Sequence, residues 1–331
     1  MGVVVIQYGF GEIGREIAGL ILGRREFELS EVVDTDEDTV GMRISDILNV
    51  GTESKLRVTR DLSGIKQEGP LLAFQSTGSR LQKIFPQLKE LIEAGANVVS
   101  TAEELAYPYL RNRGVADKID GLAKKNGVTV LGTGINPGFI MDLLPLIIAG
   151  VSRHLESIEV LRVQDGACRR RSLQEKIGVG LSPDLFDEKI RGSGGHVGLS
   201  ESLALIASGL GWRVEAIQET VEPVIAEERV TSEYFEVQPG EVAGVDQVVR
   251  GFAGDEEKIT LILRIYLGAE KPVDRISITG VPDLQLEIPG GIHGDIATPA
   301  VAVNSARTVL EADPGLITPL DMSPFLGNFG S

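Results

Sequence analysis

Two adjacent glutamates follow a buried apolar run in the stretch "ANVVSTAEELAYP". Glu103 and Glu104 could supply acid/base chemistry if the run is a strand that ends in a cleft, because burial can raise the pKa of a carboxyl group toward neutrality. The same stretch is typical of an ordinary helix start, with Ser100 or Thr101 as the cap and a glutamate near the helix dipole. Both roles can coexist, since the two carboxylates can face different sides. We prefer Glu104 as the acid/base.

A glycine-rich turn near the N-terminus predicts a dinucleotide site. The apolar, β-branched run Val3–Tyr8 leads into "GFGEIG", a helical stripe follows, and a second strand ends at Asp34, 20 residues beyond the third glycine. A strand before the glycines, a helix after them and an acid at this distance form the context that a dinucleotide fingerprint requires. Gly9 would permit the tight turn, Gly11 the close approach of the pyrophosphate, and Gly14 the packing of helix on strand.

The residues around Asp34 favour NAD over NADP. The Asp34 carboxylate would accept hydrogen bonds from the ribose hydroxyls, and the acidic "DTDED" around it would repel a 2′-phosphate. Arg24 and Arg25 keep the use of NADP possible. The predicted cofactor-binding residues are Gly9, Phe10, Gly11, Glu12, Ile13, Gly14, Asp34, Thr35, Ser76, Thr77, Gly78, Thr101, Asn136 and Pro137.

Alternating strands and helices over the first 135 residues predict an α/β fold with a doubly wound parallel sheet. Ligands bind outside the carboxyl ends of strands in such sheets, so the turns "QSTGS", "STAEEL" and "GTGINPGF" should share one rim. Asn136 could orient the nicotinamide carboxamide there, although N-P-G is also typical of a plain turn. Phe139 would then be a pocket wall, and Tyr107 could line the pocket or merely pack.

Runs of strands with one strong helix, from about residue 156 onward, predict a second α+β domain on an open mixed sheet. We expect a Rossmann domain at residues 1–135, completed by 295–331, and a substrate-binding and oligomerisation domain at 136–294. Residues 295–315 should form one amphipathic helix before a tail that packs back on the first domain. Because open sheets commonly pair across a two-fold interface, we expect a homodimer.

The composition argues against several functions. The single cysteine cannot form an internal disulfide, and the three histidines lack metal-ligand spacing, so we expect no metal site. A net charge of −16 would repel phosphate backbones, which argues against a nucleic-acid partner. The sequence also lacks a signal-like start and an apolar run long enough for a membrane span, which predicts a cytoplasmic protein without a membrane partner.

Several motifs together resemble the family of 2,4-diaminopentanoate dehydrogenase and the native amine dehydrogenases, which is often labelled dihydrodipicolinate-reductase-like. They are "GFGEIG", "VVDTDEDTVG", "STAEELAYP", "GTGINPGF", "RRRSLQEKIGVG", "GGHVGLSES" and "TPAVAVNSA", and they span nearly the whole chain. The resemblance implies NAD(P)-linked oxidative deamination of an amine to a ketone and ammonia, with reductive amination in reverse. It also implies a catalytic glutamate in the "STAEEL" segment without fixing which one.

The resemblance also bears on the substrate pocket. Thr298 and Asn304 resemble family positions near the pocket. Arg170, in the run "RRR", could clamp a substrate carboxylate or belong to a solvated surface. His196 could reach the site or be structural. True dihydrodipicolinate reductase carries a paired-histidine and lysine segment followed by "DAPSGT", and this sequence has neither.

Two other functions fit the same scaffold. One is a dehydrogenase of another carbonyl substrate, and the other is a dinucleotide-binding sensor without catalysis. Amine-dependent reduction of NAD⁺, turnover of an alcohol or aldehyde, and cofactor binding without turnover would distinguish the three.

Overall fold

The computed structural model describes residues 2–49, 55–62, 69–191 and 195–322. The strands within these ranges are, in chain order, β1 (Val3–Tyr8), β2 (Phe27–Val33), β3 (Val58–Thr59), β4 (Leu71–Gln75), β5 (Asn97–Ser100), β6 (Thr129–Gly132), β7 (His154–Asp165), β8 (Ala216–Ile225), β9 (Val230–Thr231), β10 (Glu236–Val237), β11 (Val242–Ala253), β12 (Glu256–Tyr266), β13 (Val273–Val281), β14 (Leu284–Pro289) and β15 (Gly315–Ile317).

The α-helices within the same ranges are α1 (Glu12–Leu22), α2 (Ile44–Leu48), α3 (Leu81–Glu93), α4 (Glu103–Ala106), α5 (Arg113–Asn126), α6 (Leu143–Ala149), α7 (Arg171–Lys176), α8 (Pro183–Lys189), α9 (Leu199–Leu210), α10 (Gly294–Asn304) and α11 (Ala306–Glu311). The chain divides into two compact units, Met1–Ile135 with Ile296–Ser331, and Asn136–Asp295. Each unit has its own large sheet.

The sheet of the first unit is parallel throughout, in the order β15-β6-β5-β4-β1-β2-β3. Successive side chains along its strands point to opposite faces, so the two faces contribute to two separate hydrophobic cores. Val4 and its neighbours on one face pack with α3 and α5, whereas Val5 and its neighbours on the other face pack with α1, α10 and α11. Helices therefore cover both faces, and the predicted doubly wound parallel sheet is confirmed.

The C-terminal part of the first unit differs from the prediction. Residues 295–315 were expected to form one helix, but α10 and α11 are separate and meet at Ser305. The Ser305 hydroxyl donates to the Val301 carbonyl at 2.7 Å, a bond that competes with the helical ladder. The strand β15 then adds to β6 in parallel; its three residues are too few to show a strand period. Residues 323–331 of the predicted tail lie outside the described residues.

The second unit is built on a mixed sheet in the order β14-β13-β7-β12-β11-β8. The pair β7 and β12 is parallel and the other pairs are antiparallel. A Cβ at Gly251 would lie 2.9 Å from Leu203 of α9, so this helix packs on that face. The opposite face presents half-buried aliphatic side chains, among them Leu161, Val248 and Ile262. The predicted α+β unit on an open mixed sheet is confirmed.

Candidate functional site

The turn between β1 and α1 has the shape that the glycine pattern predicts. Gly9 has φ of +93°, a conformation that favours glycine. A Cβ at Gly14 would lie 1.9 Å from the Gly9 carbonyl oxygen, so the helix can approach the strand only with glycine there. At Gly11 a Cβ would meet nothing within 4 Å, and no side chain caps α1 at this residue. The turn therefore has open space beside an uncapped helix N-terminus, which suits a pyrophosphate.

Asp34 lies at the end of β2 beside this turn. One of its carboxylate oxygens accepts a hydrogen bond from the Phe10 amide, and the other accepts from the Asp36 amide at 2.9 Å. These bonds fix the carboxylate next to the glycines. Because each carboxylate oxygen can accept more than one hydrogen bond, Asp34 can still receive the ribose hydroxyls. Thr35 follows it and is exposed.

Hydrogen bonds between main-chain groups join the carboxyl ends of neighbouring strands along the rim of the first unit. The Ser76 amide donates to the Tyr8 carbonyl at 2.8 Å, and the Thr101 amide donates to the Gln75 carbonyl at 3.0 Å. The Ser76 hydroxyl also donates to the Gly9 carbonyl at 3.1 Å. The structure therefore brings the predicted residues Ser76, Thr77, Gly78 and Thr101 to the same rim as the glycine turn.

Two buried glutamines hold this rim, and the sequence analysis missed both. Gln7 donates from Nε2 to the Gly9 carbonyl at 2.7 Å and to the Ser76 hydroxyl at 2.9 Å. Gln75 accepts from the Ser100 hydroxyl through Oε1 and donates to the Gln87 carboxamide at 3.0 Å. A polar residue inside an otherwise apolar strand run was the signal, since a buried amide needs partners.

The two glutamates of α4 have different surroundings. Glu104 is buried, and its carboxylate accepts from Arg80 Nη1 at 2.9 Å, the Leu81 amide at 2.7 Å and Asn112 Nδ2 at 3.2 Å. It thus caps α3, which has no cap from its own Arg80. Glu103 is half-buried, and the described residues include no hydrogen-bond or ion-pair partner for its carboxylate. Glu104 is committed to holding two helices together, whereas Glu103 keeps its acceptor capacity.

Tyr107 follows the glutamate turn at the end of α4. Its ring packs edge-to-face on Tyr109, with centroids 5.5 Å apart. Arg113 stacks over the Tyr109 ring at 5.6 Å, a cation–π contact. Tyr107 therefore packs in an aromatic group beside the rim, and its half-buried ring can also form a wall there.

The structure corrects two predictions, that of Asn304 as a pocket residue and that of Arg24 and Arg25 as cations near the cofactor. Thr298 lies near the rim, where its hydroxyl accepts from the Ile135 amide at 3.4 Å, just after β6. Asn304 lies at the other end of α10, where its side-chain oxygen Oδ1 accepts a hydrogen bond from Arg24 at 2.6 Å. Arg24 precedes β2, at the amino ends of the strands. Neither Asn304 nor the pair Arg24 and Arg25 reaches the rim, because an 11-residue helix carries the chain across the whole sheet.

The turn at residues 136–142 lies in the second unit and is fixed from within. Asp142 is fully buried and accepts from the Gly138 amide at 2.8 Å, the Leu143 amide at 2.7 Å and the Ser202 hydroxyl at 2.7 Å. Burial raises the pKa of Asp142, while these donors oppose the shift. Asn136, joined to Pro137 by a cis peptide, has a buried Oδ1 without a hydrogen-bond partner among the described residues.

The predicted arginine run forms a charge cluster with two aspartates. Arg169 and Arg170 both pair with Asp295, and burial lowers the pKa of Arg169 to about 10. Arg162, which the sequence analysis missed, is buried and binds Asp274 at 2.6 Å. Arg171 is exposed and pairs with Glu175 along α7 at 2.9 Å. The run is therefore split between an inner pair and a surface residue.

His196 lies beside this cationic cluster. Burial lowers the pKa of His196 to about 3, and the charges of Lys176, Arg169, Arg170 and Arg162 act in the same direction. The ring is therefore neutral at ordinary pH. Its Nδ1 atom is buried and has no hydrogen-bond partner among the described residues. Residues 192–194 of the motif around it lie outside the described residues.

The described part of the chain has neither a cluster of potential metal ligands nor a membrane-spanning helix. Within it, no group of three or more His, Cys, Asp and Glu side chains is arranged to hold a metal ion. None of the helices in these ranges has both the length and the apolar composition needed to cross a membrane.

Known proteins resemble this chain over nearly its whole length. The family model described as the 2,4-diaminopentanoate dehydrogenase C-terminal domain matches residues 139–326. A 2,4-diaminopentanoate dehydrogenase of Acetoanaerobium sticklandii is 32% identical over 97% of this chain and 93% of its own. An amine dehydrogenase of Streptomyces virginiae is 21% identical over 99% of both chains. The solved structure of an amine dehydrogenase from Mycobacterium smegmatis has the same fold, with a TM-score of 0.86 at 22% identity over 98% of this chain and 97% of that one.

Proposed function

Because the chain belongs to the 2,4-diaminopentanoate dehydrogenase family, we propose that it oxidatively deaminates an amine or diamino acid to a ketone and ammonia, and catalyses the reductive amination in reverse. The resemblance first inferred from motifs is confirmed. The chain is an oxidoreductase that acts on amines. The substrate, the reversibility and the acid/base residue belong to the proposal.

The residues of the first unit fit NAD. The open space at Gly11, the uncapped start of α1 and the fixed carboxylate of Asp34 would hold the pyrophosphate and the adenosine ribose. When bound, the nicotinamide supplies the hydride acceptor for amine oxidation and the donor for amination. NADP is possible; Arg60, which pairs with Glu37 at 2.9 Å, directly follows Thr59, whose carbonyl accepts a hydrogen bond from the Asp34 amide at 3.0 Å.

The observation that carries the proposal is the shared rim of the glycine turn and the glutamate turn. Ser76 binds Gly9, Thr101 binds Gln75, and the Glu104 amide donates to the Ser79 carbonyl at 3.2 Å. An acid/base at this rim would take a proton from the substrate ammonium and later activate water for imine hydrolysis. The contacts favour Glu103 for this role and give Glu104 the task of fixing the turn. Glu104 as the acid/base remains the alternative.

The substrate pocket is proposed in the second unit. Phe139, Arg170 and His196 would line it. Arg162, Arg169 and Arg170 concentrate guanidinium groups beside His196. Guanidinium groups bind carboxylates through two parallel hydrogen bonds, which favours a substrate with a carboxylate. A diamino acid therefore fits better than a simple alkylamine.

The test is amine-dependent reduction of NAD⁺ at alkaline pH, with 2,4-diaminopentanoate, simple alkylamines and cyclohexylamine as substrates. Turnover of the diamino acid supports the proposal. Turnover only of alcohols or aldehydes would assign another dehydrogenase activity, and cofactor binding without any turnover would assign a sensor. Comparable catalytic efficiency with NADP⁺ and NAD⁺ would contradict the role given to Asp34.

We also propose a homodimer that forms through the open face of the second sheet. Leu161, Val163, Val248 and Ile262 lie half-buried on that face, amid charged neighbours. A second copy would cover these aliphatic side chains in a self-complementary contact. A cytoplasmic location is proposed on the single cysteine, which requires no oxidising compartment.

A further inference from the structure

Gln247 makes a two-point contact with the main chain of His196. It lies on β11 and is fully buried. Its Oε1 accepts from the His196 amide at 2.8 Å, and its Nε2 donates to the His196 carbonyl at 3.1 Å. A side-chain carboxamide thus pairs with both polar groups of one residue, as a neighbouring strand would. The two residues are 51 positions apart in the chain.

The orientation of the Gln247 carboxamide is itself fixed. Nε2 donates to Glu219 Oε1 at 2.7 Å, and the Ser200 hydroxyl donates to Glu219 Oε2 at 3.0 Å. A carboxylate accepts only, so it selects the nitrogen of the carboxamide and leaves the oxygen for the His196 amide. Ser200 is the second residue of α9, which links this chain of bonds to the helix that follows His196.

Gly195 allows this close contact. It has φ of +64°, and a Cβ at this position would lie 2.6 Å from Gln247 Oε1. Any side chain there would therefore push the carboxamide away from the His196 amide. Gly195, directly before the histidine, therefore leaves the space that the Gln247 carboxamide occupies.

The contact holds the main chain that carries the imidazole. The ring is placed among Lys176, Arg169, Arg170 and Arg162, where it remains neutral. Its Nδ1 is buried and without a hydrogen-bond partner among the described residues, so the ring is not fixed through that atom. A neutral imidazole in a cationic setting can exchange hydrogen bonds with a ligand without adding charge. Its placement therefore depends on the main chain that Gln247 holds.

We propose that Gln247 is a positioning residue for His196: its carboxamide, oriented by Glu219, fixes the His196 main chain and so places the imidazole beside the cationic cluster. The kinetic part of this inference rests on the proposed substrate pocket. The placement itself does not, and it can be measured without turnover.

The first experiment follows the histidine resonances by NMR. The chain has three histidines, so substitution of His154 and His293 assigns them readily. In the wild-type protein the His196 ring should stay neutral down to about pH 4. In Gln247→Leu, and in Gly195→Ala, the freed ring should titrate closer to the ordinary value of 6.5. An unchanged His196 titration in both folded variants would overturn the inference, whatever the activity.

Gly195→Ala provides a second route if Gln247→Leu fails to fold, and Gln218→Leu serves as the matched control. It makes the same substitution at an exposed glutamine of β8, next to Glu219. It should leave the His196 titration as in the wild type. A shift in this control as large as in Gln247→Leu would contradict the role given to the Gln247 carboxamide.

The second experiment is a double-mutant cycle in the full-length enzyme with an accepted amine. Gln247→Leu should lower kcat/KM for the amine by about tenfold, a change of about 1.4 kcal/mol, and leave KM for NAD⁺ unchanged. In the His196→Ala background the same substitution should have an effect of less than about twofold, because its target is gone. Additive losses would assign Gln247 a general structural role. Failure of every amine as a substrate would contradict the proposed function alone, since the NMR result would stand.

Discussion

At the residue scale, neighbouring glutamates with the same chemistry have different tasks. Glu104 accepts three donors, two of them from Arg80 and Leu81 at the start of α3. A carboxylate that must retain an arginine and a helix cap is poorly placed to exchange protons. The carboxylate of Glu103, one residue earlier, has no hydrogen-bond or ion-pair partner among the described residues. The local sequence cannot separate the two, since both lie in the first turn of α4.

Substitution by glutamine should separate the two roles. Glu103→Gln should lower kcat by about 10²-fold or more and leave the melting temperature unchanged. Glu104→Gln places an NH₂ group against Arg80 or the Leu81 amide, and should lower the free energy of unfolding by about 1–3 kcal/mol. Steady-state kinetics and denaturant unfolding of both variants measure these effects. A wild-type kcat in Glu103→Gln together with a large loss of kcat in Glu104→Gln would instead assign the acid/base role to Glu104, as we expected from the sequence.

The neutral His196 predicts a pH dependence of stability. Its pKa is about 3 in the folded chain against 6.5 ordinarily, so the unfolded chain binds the proton more readily between these values. Stability should therefore fall as the pH is lowered from about 7 toward 3. His196→Gln removes this proton uptake and should flatten the profile in that window, as urea unfolding at each pH would measure. A parallel profile in the variant would rule out a neutral imidazole at His196.

At the element scale, side chains from distant elements fix the functional turns. Asp142 joins the turn at Gly138 to the start of α6 and, through Ser202, to α9, 60 residues away. Gln7 and Gln75 join the ends of β1, β4 and β5. Gln7 and Gln75 were read only as parts of a strand and a turn, and Asp142 was not singled out, because their partners could not be identified before the elements were assembled.

Asp142→Asn should destabilise the second unit. All three of its partners are donors, so an NH₂ group must face one of them, and we expect a loss of about 1–3 kcal/mol in the free energy of unfolding. The loss outweighs the relief of burying a neutral group, because the carboxylate leaves no donor unpaired. Asp184→Asn, exposed in the first turn of α8, is the matched control and should change stability by less than about 0.5 kcal/mol. Equal stability of the two variants would contradict the role of Asp142.

At the scale of the whole molecule, the open face of the second sheet predicts self-association. Val248→Arg places a charge among half-buried aliphatic side chains and should convert a dimer into a monomer, as light scattering after size-exclusion chromatography would detect. Val151→Arg changes an aliphatic residue that is already 71% exposed and should leave the mass unchanged. A wild-type monomer at micromolar concentration, or a dimer that persists in Val248→Arg, would exclude this interface.

The sequence by itself determined the local chemistry and the alternation of elements. The glycine spacing, the bounds of β1 and the second open sheet follow from periodicity and turn residues, which act over a few positions. Only the tertiary structure decided which glutamate is already bonded, that Asn304 and Arg24 meet at the far end of the sheet, and that Gln247 holds His196. The physical reason is the separation of the partners along the chain, since these contacts join residues 24 to 280 positions apart. A hydrogen bond between such distant partners does not change the hydrophobic periodicity of either segment, so the local sequence does not reveal it.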